Sequence, residues 1–109
     1  MMHPTPEQID AIKAEHSDVH AVTLELRGEE HTVVVRSPTR QEYGLFLKES
    51  LNEAMRHASL KKLVRPCVLF PTGPELDALA ERFVAIHETL SGPILELAGV
   101  TKAELGKKL

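Results

Sequence analysis

Tryptophan is absent and the aromatic set is small: Tyr43, Phe46, Phe70 and Phe83. Three of these fall at core-like helical spacing, which leaves no row of rings on which nucleic-acid bases could stack. Positive charge is not in excess either. The 13 basic and 16 acidic residues give a net charge of −3, with both signs interleaved along the chain. A phosphate-tracking binder needs a concentrated basic footprint, so this balance argues against a nucleic-acid partner.

A second cysteine is lacking. Cys67 stands alone within Val64-Arg65-Pro66-Cys67-Val68-Leu69, so no disulfide can form inside the chain and a reducing compartment is expected. Its apolar neighbours and the lack of a positioned base make it a packing group rather than a nucleophile. No apolar run approaches the ~20 residues needed to span a bilayer. The start, Met1-Met2-His3-Pro4-Thr5-Pro6-Glu7, has neither the basic cluster nor the apolar stretch of a secretory signal. A cytoplasmic location with no membrane partner is the expectation.

Recognisable chemistry is missing as well. There is no phosphate-cradling glycine loop, nucleophile elbow or paired-cysteine motif. The six histidines, His3, His16, His20, His31, His57 and His87, are scattered. His16 and His20 would share a helix face only if the first helix ran through Ser17, and no third ligand accompanies them. His87 lies on an apolar helical face, where a bond to a backbone group is expected. No catalytic residue, metal or cofactor is assigned, and a non-enzymatic role is expected.

What is present is a set of punctuated periodic segments. The 109 residues suit one domain with one core, divided into an N-terminal helical part (1–18), a β-hairpin (19–37) and a helical part (38–109). Thr5-Pro6-Glu7-Gln8 combines a capping hydroxyl, proline at the first helical position and a glutamine three residues after the cap. It predicts a helix from Pro6 to Glu15 whose thin apolar content, Ile9, Ala11, Ile12 and Ala14, attaches it loosely.

Alternation follows: Val22, Leu24 and Leu26, then His31, Val33 and Val35. A turn at Gly28-Glu29 would set Leu24 opposite Val33 and Val22 opposite Val35. The resulting apolar face needs cover, from helices of this chain or from another copy.

Thr39-Arg40-Gln41-Glu42 forms a capping box and opens a helix predicted to reach Ala58, with Tyr43, Phe46, Leu47, Leu51, Ala54, Met55 and Ala58 on one side. Gly44 sits inside it at a cost of roughly 1 kcal/mol against alanine, which close packing or a binding contact would explain. Ser59 predicts the start of a shorter helix carrying Leu60, Leu63, Val64, Cys67 and Val68, kinked or stopped early by Pro66. Thr72 and Glu75 predict a helix from Pro74 to Leu90. Ser91-Gly92-Pro93 predicts a break, then a short helix ended by Gly99. Thr101-Lys102-Ala103-Glu104 offers another start, and Leu105 to Leu109 a mobile end. The expected class is α+β, mainly helical: an N-terminal helix, one hairpin, then a bundle of three to four helices.

From Val33 onward the order of segments resembles the tail assembly chaperones of long-tailed bacteriophages and prophages. The resemblance rests on Val33-Val34-Val35-Arg36-Ser37-Pro38-Thr39-Arg40-Gln41-Glu42-Tyr43, Leu63-Val64-Arg65-Pro66-Cys67-Val68-Leu69-Phe70-Pro71, Glu75 to Phe83, Ile94 to Gly99 and the lysine-rich end. It covers about three quarters of the chain. It implies a protein that binds the helical tape-measure protein in the host cytoplasm, keeps it soluble and helps recruit tail-tube subunits. It also implies two product lengths through a programmed frameshift.

Helix-in-groove binding is the expected mode, with Tyr43, Phe46, Leu47, Val64, Val68, Phe70, Leu79, Phe83 and Ile86 as client-binding residues. Val22, Leu24, Val33 and Val35 are candidates for self-association into a homo-oligomer. The alternatives are a structural virion subunit, such as a tail or connector protein forming rings through its hairpin, and a small protein-binding adaptor.

Overall fold

Residues 2–99 are described by a computed structural model; the helix start at Thr101 and the end from Leu105 to Leu109 lie outside them. The elements run α1 (Pro6–Glu15), β1 (Val19–Leu26), β2 (Glu29–Arg36), α2 (Arg40–Ser50), α3 (Arg56–Cys67), β3 (Val68–Phe70), α4 (Gly73–Arg82) and α5 (Ile86–Leu97). This is the mainly helical α+β class, with helix, hairpin and helices in the expected order.

Reciprocal caps start α1 and α2. Gln8 donates its backbone N–H to the Thr5 hydroxyl and returns its side-chain oxygen to the Thr5 N–H; Thr39 and Glu42 repeat the arrangement. No residue of α1 is buried, as its thin apolar content predicts. The segment ahead of it is tied to the sheet instead: the Met2 carbonyl accepts the Thr32 N–H at 2.8 Å.

The hairpin turns one residue earlier than predicted. Arg27 and Gly28 both take positive φ, 52° and 82°, the two-residue turn whose twist suits a hairpin. Leu24 therefore pairs with His31 and Val22 with Val33, not with Val33 and Val35. A Gly28-Glu29 turn could confine positive φ to the glycine, whereas the observed turn also holds Arg27 there. With Arg27 in that place, its guanidinium lies 5.4 Å from the centre of the Phe83 ring. Partners move by two positions, so every side chain keeps its face.

β3 departs from the expectation that Val68 continues the helix from Ser59. Pro66 lacks an N–H and disfavours helix at the preceding residue, and the chain leaves α3 at Cys67. It then pairs with the far edge of β2, Val68 against Val35 and Phe70 against Val34, with a register irregularity between them.

The helix predicted from Thr39 to Ala58 is two helices. Asn52 accepts the Ala54 N–H on its own side chain at 2.9 Å, a local bond that competes with helix continuation. Arg56 donates to the Ser50 carbonyl freed at the end of α2. Ser59, expected to start a helix, lies inside α3 with its hydroxyl bonded to the Arg56 carbonyl.

The helix predicted from Pro74 to Leu90 is also divided, at residues 83–85. An unbroken stripe from Leu76 to Ile94 would run roughly 27 Å, and the bend lets α4 and α5 both cover one sheet. The break predicted at Ser91-Gly92-Pro93 does not occur, and α5 runs through it. Leu90 and Ile94, on either side, are fully buried, so packing outweighs the lost backbone bond. Gly99, at φ 94°, follows the end of α5 as predicted.

One face of the sheet carries the core. Leu24, Val33, Val35 and Val68 meet Val64 and Cys67 of α3, Leu76 and Leu79 of α4, Phe83, and Ile86, Leu90 and Ile94 of α5. The hairpin's apolar face is covered by helices of this chain.

Candidate protein-docking surface

The closed core sorts the predicted binding residues. Val64, Val68, Phe70, Leu79, Phe83 and Ile86 are buried and cannot meet a client in this conformation. All but Phe70 lie in the core cluster under the sheet, and Phe70 is held in β3 opposite Val34. Of the self-association set, Leu24, Val33 and Val35 are buried by the same packing, and Val22 is partly buried against it. The apolar stripe of the later helices is consumed internally.

α2 is different. Its only buried residue is a carboxylate, Glu49, held by Lys62 of α3 at 3.1 Å with its second oxygen unbonded. Its apolar side chains stay at the surface: Leu45 is 49 % exposed, Leu47 46 %, and Leu51, just past the helix end, 84 %. Tyr43 and Phe46 are half-buried with ring centres 6.2 Å apart. On the Leu45 side of α2 an open groove of about 580 Å³ is lined by Leu45, Lys61, Lys62, Arg65, Pro66 and Gly73. Arg65 is fixed on its rim by two bonds to Asp77, at 3.1 and 3.2 Å. The bonded guanidinium lowers the Asp77 carboxyl below the usual carboxylate range.

Thus α2 carries Tyr43, Phe46 and Leu47 of the predicted set, with Leu51 following on their side, while Leu45 joins the basic residues of α3 on the other. Leu45 sits off the main α2 stripe, and an off-stripe leucine was the available signal. Leu51 lay on the predicted stripe and is freed because the helix ends at Ser50. The groove itself had no signal, since it depends on how α2 lies against α3.

The other candidate groups form no further site. Burial pushes the Cys67 thiol up to about 11, even with Arg36 Nη1 3.9 Å from its sulfur; it is a packed, protonated group. His20 bonds to Asp18 at 2.8 Å. Among the described residues no group of three or more His, Cys, Asp or Glu is placed to hold a metal ion. His87 lacks the predicted backbone bond: its Nε2 is buried without a hydrogen-bond partner, and burial lowers its pKa. No helix among the described residues is long and apolar enough to cross a membrane.

No family model matches the chain, and no curated protein matches it. Among solved structures, it is similar to an uncharacterised protein from Bacillus stearothermophilus, with a TM-score of 0.76 and 21 % identity over 91 % of this chain and 99 % of that one. At that identity the likeness speaks for the fold alone.

Proposed function

We propose that this chain is a non-catalytic assembly chaperone of a long-tailed phage or prophage, working in the host cytoplasm by holding the tape-measure protein and helping tail-tube subunits gather on it. The observation that carries the reading is the surface of α2, where Leu45, Leu47 and Leu51 stay open although the core closes without them. A client helix laid along the outer side of α2 would bury Leu47 and Leu51, four positions apart, while Leu45, on the other side of the helix, lines the groove beside α3 as a second contact. Each leucine fully removed from water contributes roughly 1.5–3 kcal/mol. Of the rim's cations, Lys62 and Arg65 are already paired with Glu49 and Asp77, so Lys61 is the one that would meet an acidic residue beside the client's apolar face.

The test is co-expression with a tape-measure protein of a long-tailed phage, followed by affinity capture at stoichiometric concentration. Retention is expected for the native chain and loss for Leu47→Asp combined with Leu51→Asp, a pair exposed enough to leave the fold intact. Equal capture of both forms, or of neither, overturns the proposal.

A further inference from the structure

β1 is the outermost strand of the sheet. Its inner edge is matched to β2 through eight consecutive pairs, from Val19 with Arg36 to Leu26 with Glu29. Beyond that ladder, no backbone bond among the described residues involves β1.

The direction of the free groups follows from the other side of the hairpin. Thr32 gives its N–H to the Met2 carbonyl, on the side of β2 away from β1. In an antiparallel ladder such a residue occupies a pair that exchanges no bonds, so its partner Thr23 also turns its N–H and C=O outward. Alternation gives Val19, Ala21 and Glu25 the same outward direction.

The two sides of the sheet are protected unequally. β3 is three residues long, carries a register irregularity, precedes Pro71, and is prolonged by the Met2 contact to Thr32. These devices blunt a sheet edge. β1 has none of them: eight residues, VHAVTLEL, without proline or lysine and with an unshifted ladder. Beside it, Val84 is 86 % exposed and joins Glu25, Leu26 and Phe83 in lining a depression of about 280 Å³. Apolar surface therefore continues from the strand onto the bend between α4 and α5.

We infer that β1 pairs antiparallel with β1 of a second copy of this chain, about a two-fold axis through Val22. In that register Ala21 faces the partner's Thr23 and Val19 faces the partner's Glu25. All four outward-facing residues then find backbone partners. The strand's two titratable residues, Glu25 and His20, meet the partner's Val19 and the partner's Leu24 and never their own copies, so charge does not oppose the pairing. The surface used is the strand's backbone edge, since the hairpin's apolar face is taken up by the core, and the pairing is separate from whatever α2 binds.

The test is mass in solution as a function of concentration, by light scattering after size exclusion, combined with amide exchange. The native chain is expected to move from its 12.1 kDa monomer to twice that mass. Protection of the Ala21 and Thr23 amides is expected to rise together with it. Ala21→Pro removes an N–H that the ladder to β2 does not use, so the hairpin survives. The substitution counts twice in a symmetric pair and is expected to weaken dimerisation roughly 10- to 100-fold. A mass fixed at the monomer value, or exchange at Ala21 and Thr23 independent of concentration, overturns the inference even if the proline variant fails to fold.

Discussion

Arg36 holds Glu42 through two parallel bonds, 2.8 and 3.0 Å long, and so ties the end of the hairpin to the first turn of α2. The same carboxylate accepts the Thr39 N–H that begins the helix. One acidic side chain therefore closes the cap and fixes the angle at which α2, with its open leucines, leaves the sheet.

That bonding holds the Glu42 carboxyl at about 2, chiefly through the Arg36 bonds and against the opposing effect of burial. A carboxyl lowered in the folded state adds stability that is complete above its unfolded value and is lost as pH falls toward its folded one. Glu42→Gln keeps the geometry of the cap and removes the charge. It is expected to cost about 1–2 kcal/mol at neutral pH. In urea unfolding the gap between native and variant should shrink steadily from pH 5 to pH 2. A gap that stays constant across that range would show that the ion pair adds nothing.

Gly44 lies mid-helix, exposed, and a Cβ built on it would meet nothing within 4 Å. Neither close packing nor a contact within the chain explains it. Gly44→Ala is expected to raise stability by about 1 kcal/mol, read as a higher urea midpoint with an unchanged slope. If captured tape-measure protein is lost in this stabilised variant, the glycine belongs to the docking surface and leaves room for a client backbone.

His31 is buried opposite Leu24, with its ring edge-on to Phe83 at 6.0 Å. Its Nε2 comes within 3.4 Å of the Glu29 carboxylate, yet neither ring nitrogen completes a hydrogen bond. Replacing it by leucine forfeits the ring contact, worth about 1 kcal/mol. The change also removes two unsatisfied polar atoms, at about 1–3 kcal/mol. His31→Leu should therefore stabilise the chain by about 1 kcal/mol in urea unfolding at pH 7. Destabilisation by as much would mean that the imidazole contributes a bond absent from this geometry.

Much of the fold was legible because its signals are local. Thr5 with Gln8 and Thr39 with Glu42 place helix starts within a few residues, and the alternation from Val22 to Val35 needs no distant partner. Errors fell where one local signal met another or a distant contact. Asn52 ended α2 through its own side-chain bond, while the proline and glycine at 92–93 failed to end α5 between two buried residues. β3 was hidden because three residues after a proline carry no period, and only the open edge of β2 makes them a strand. The docking surface was half legible: Tyr43, Phe46 and Leu47 were named, but so were six residues that the core encloses.

Composition and pattern by themselves determined a small, mixed-charge α+β chain with a hairpin between helices, because periodicity and caps act over a few residues. The tertiary structure decided which apolar stripes became interior and which stayed open. The stripes of α4 and α5 and that of α2 look alike in a linear chain. Only the former face the sheet once the chain bends at residues 83–85, and a finite sheet face has no room for all of them.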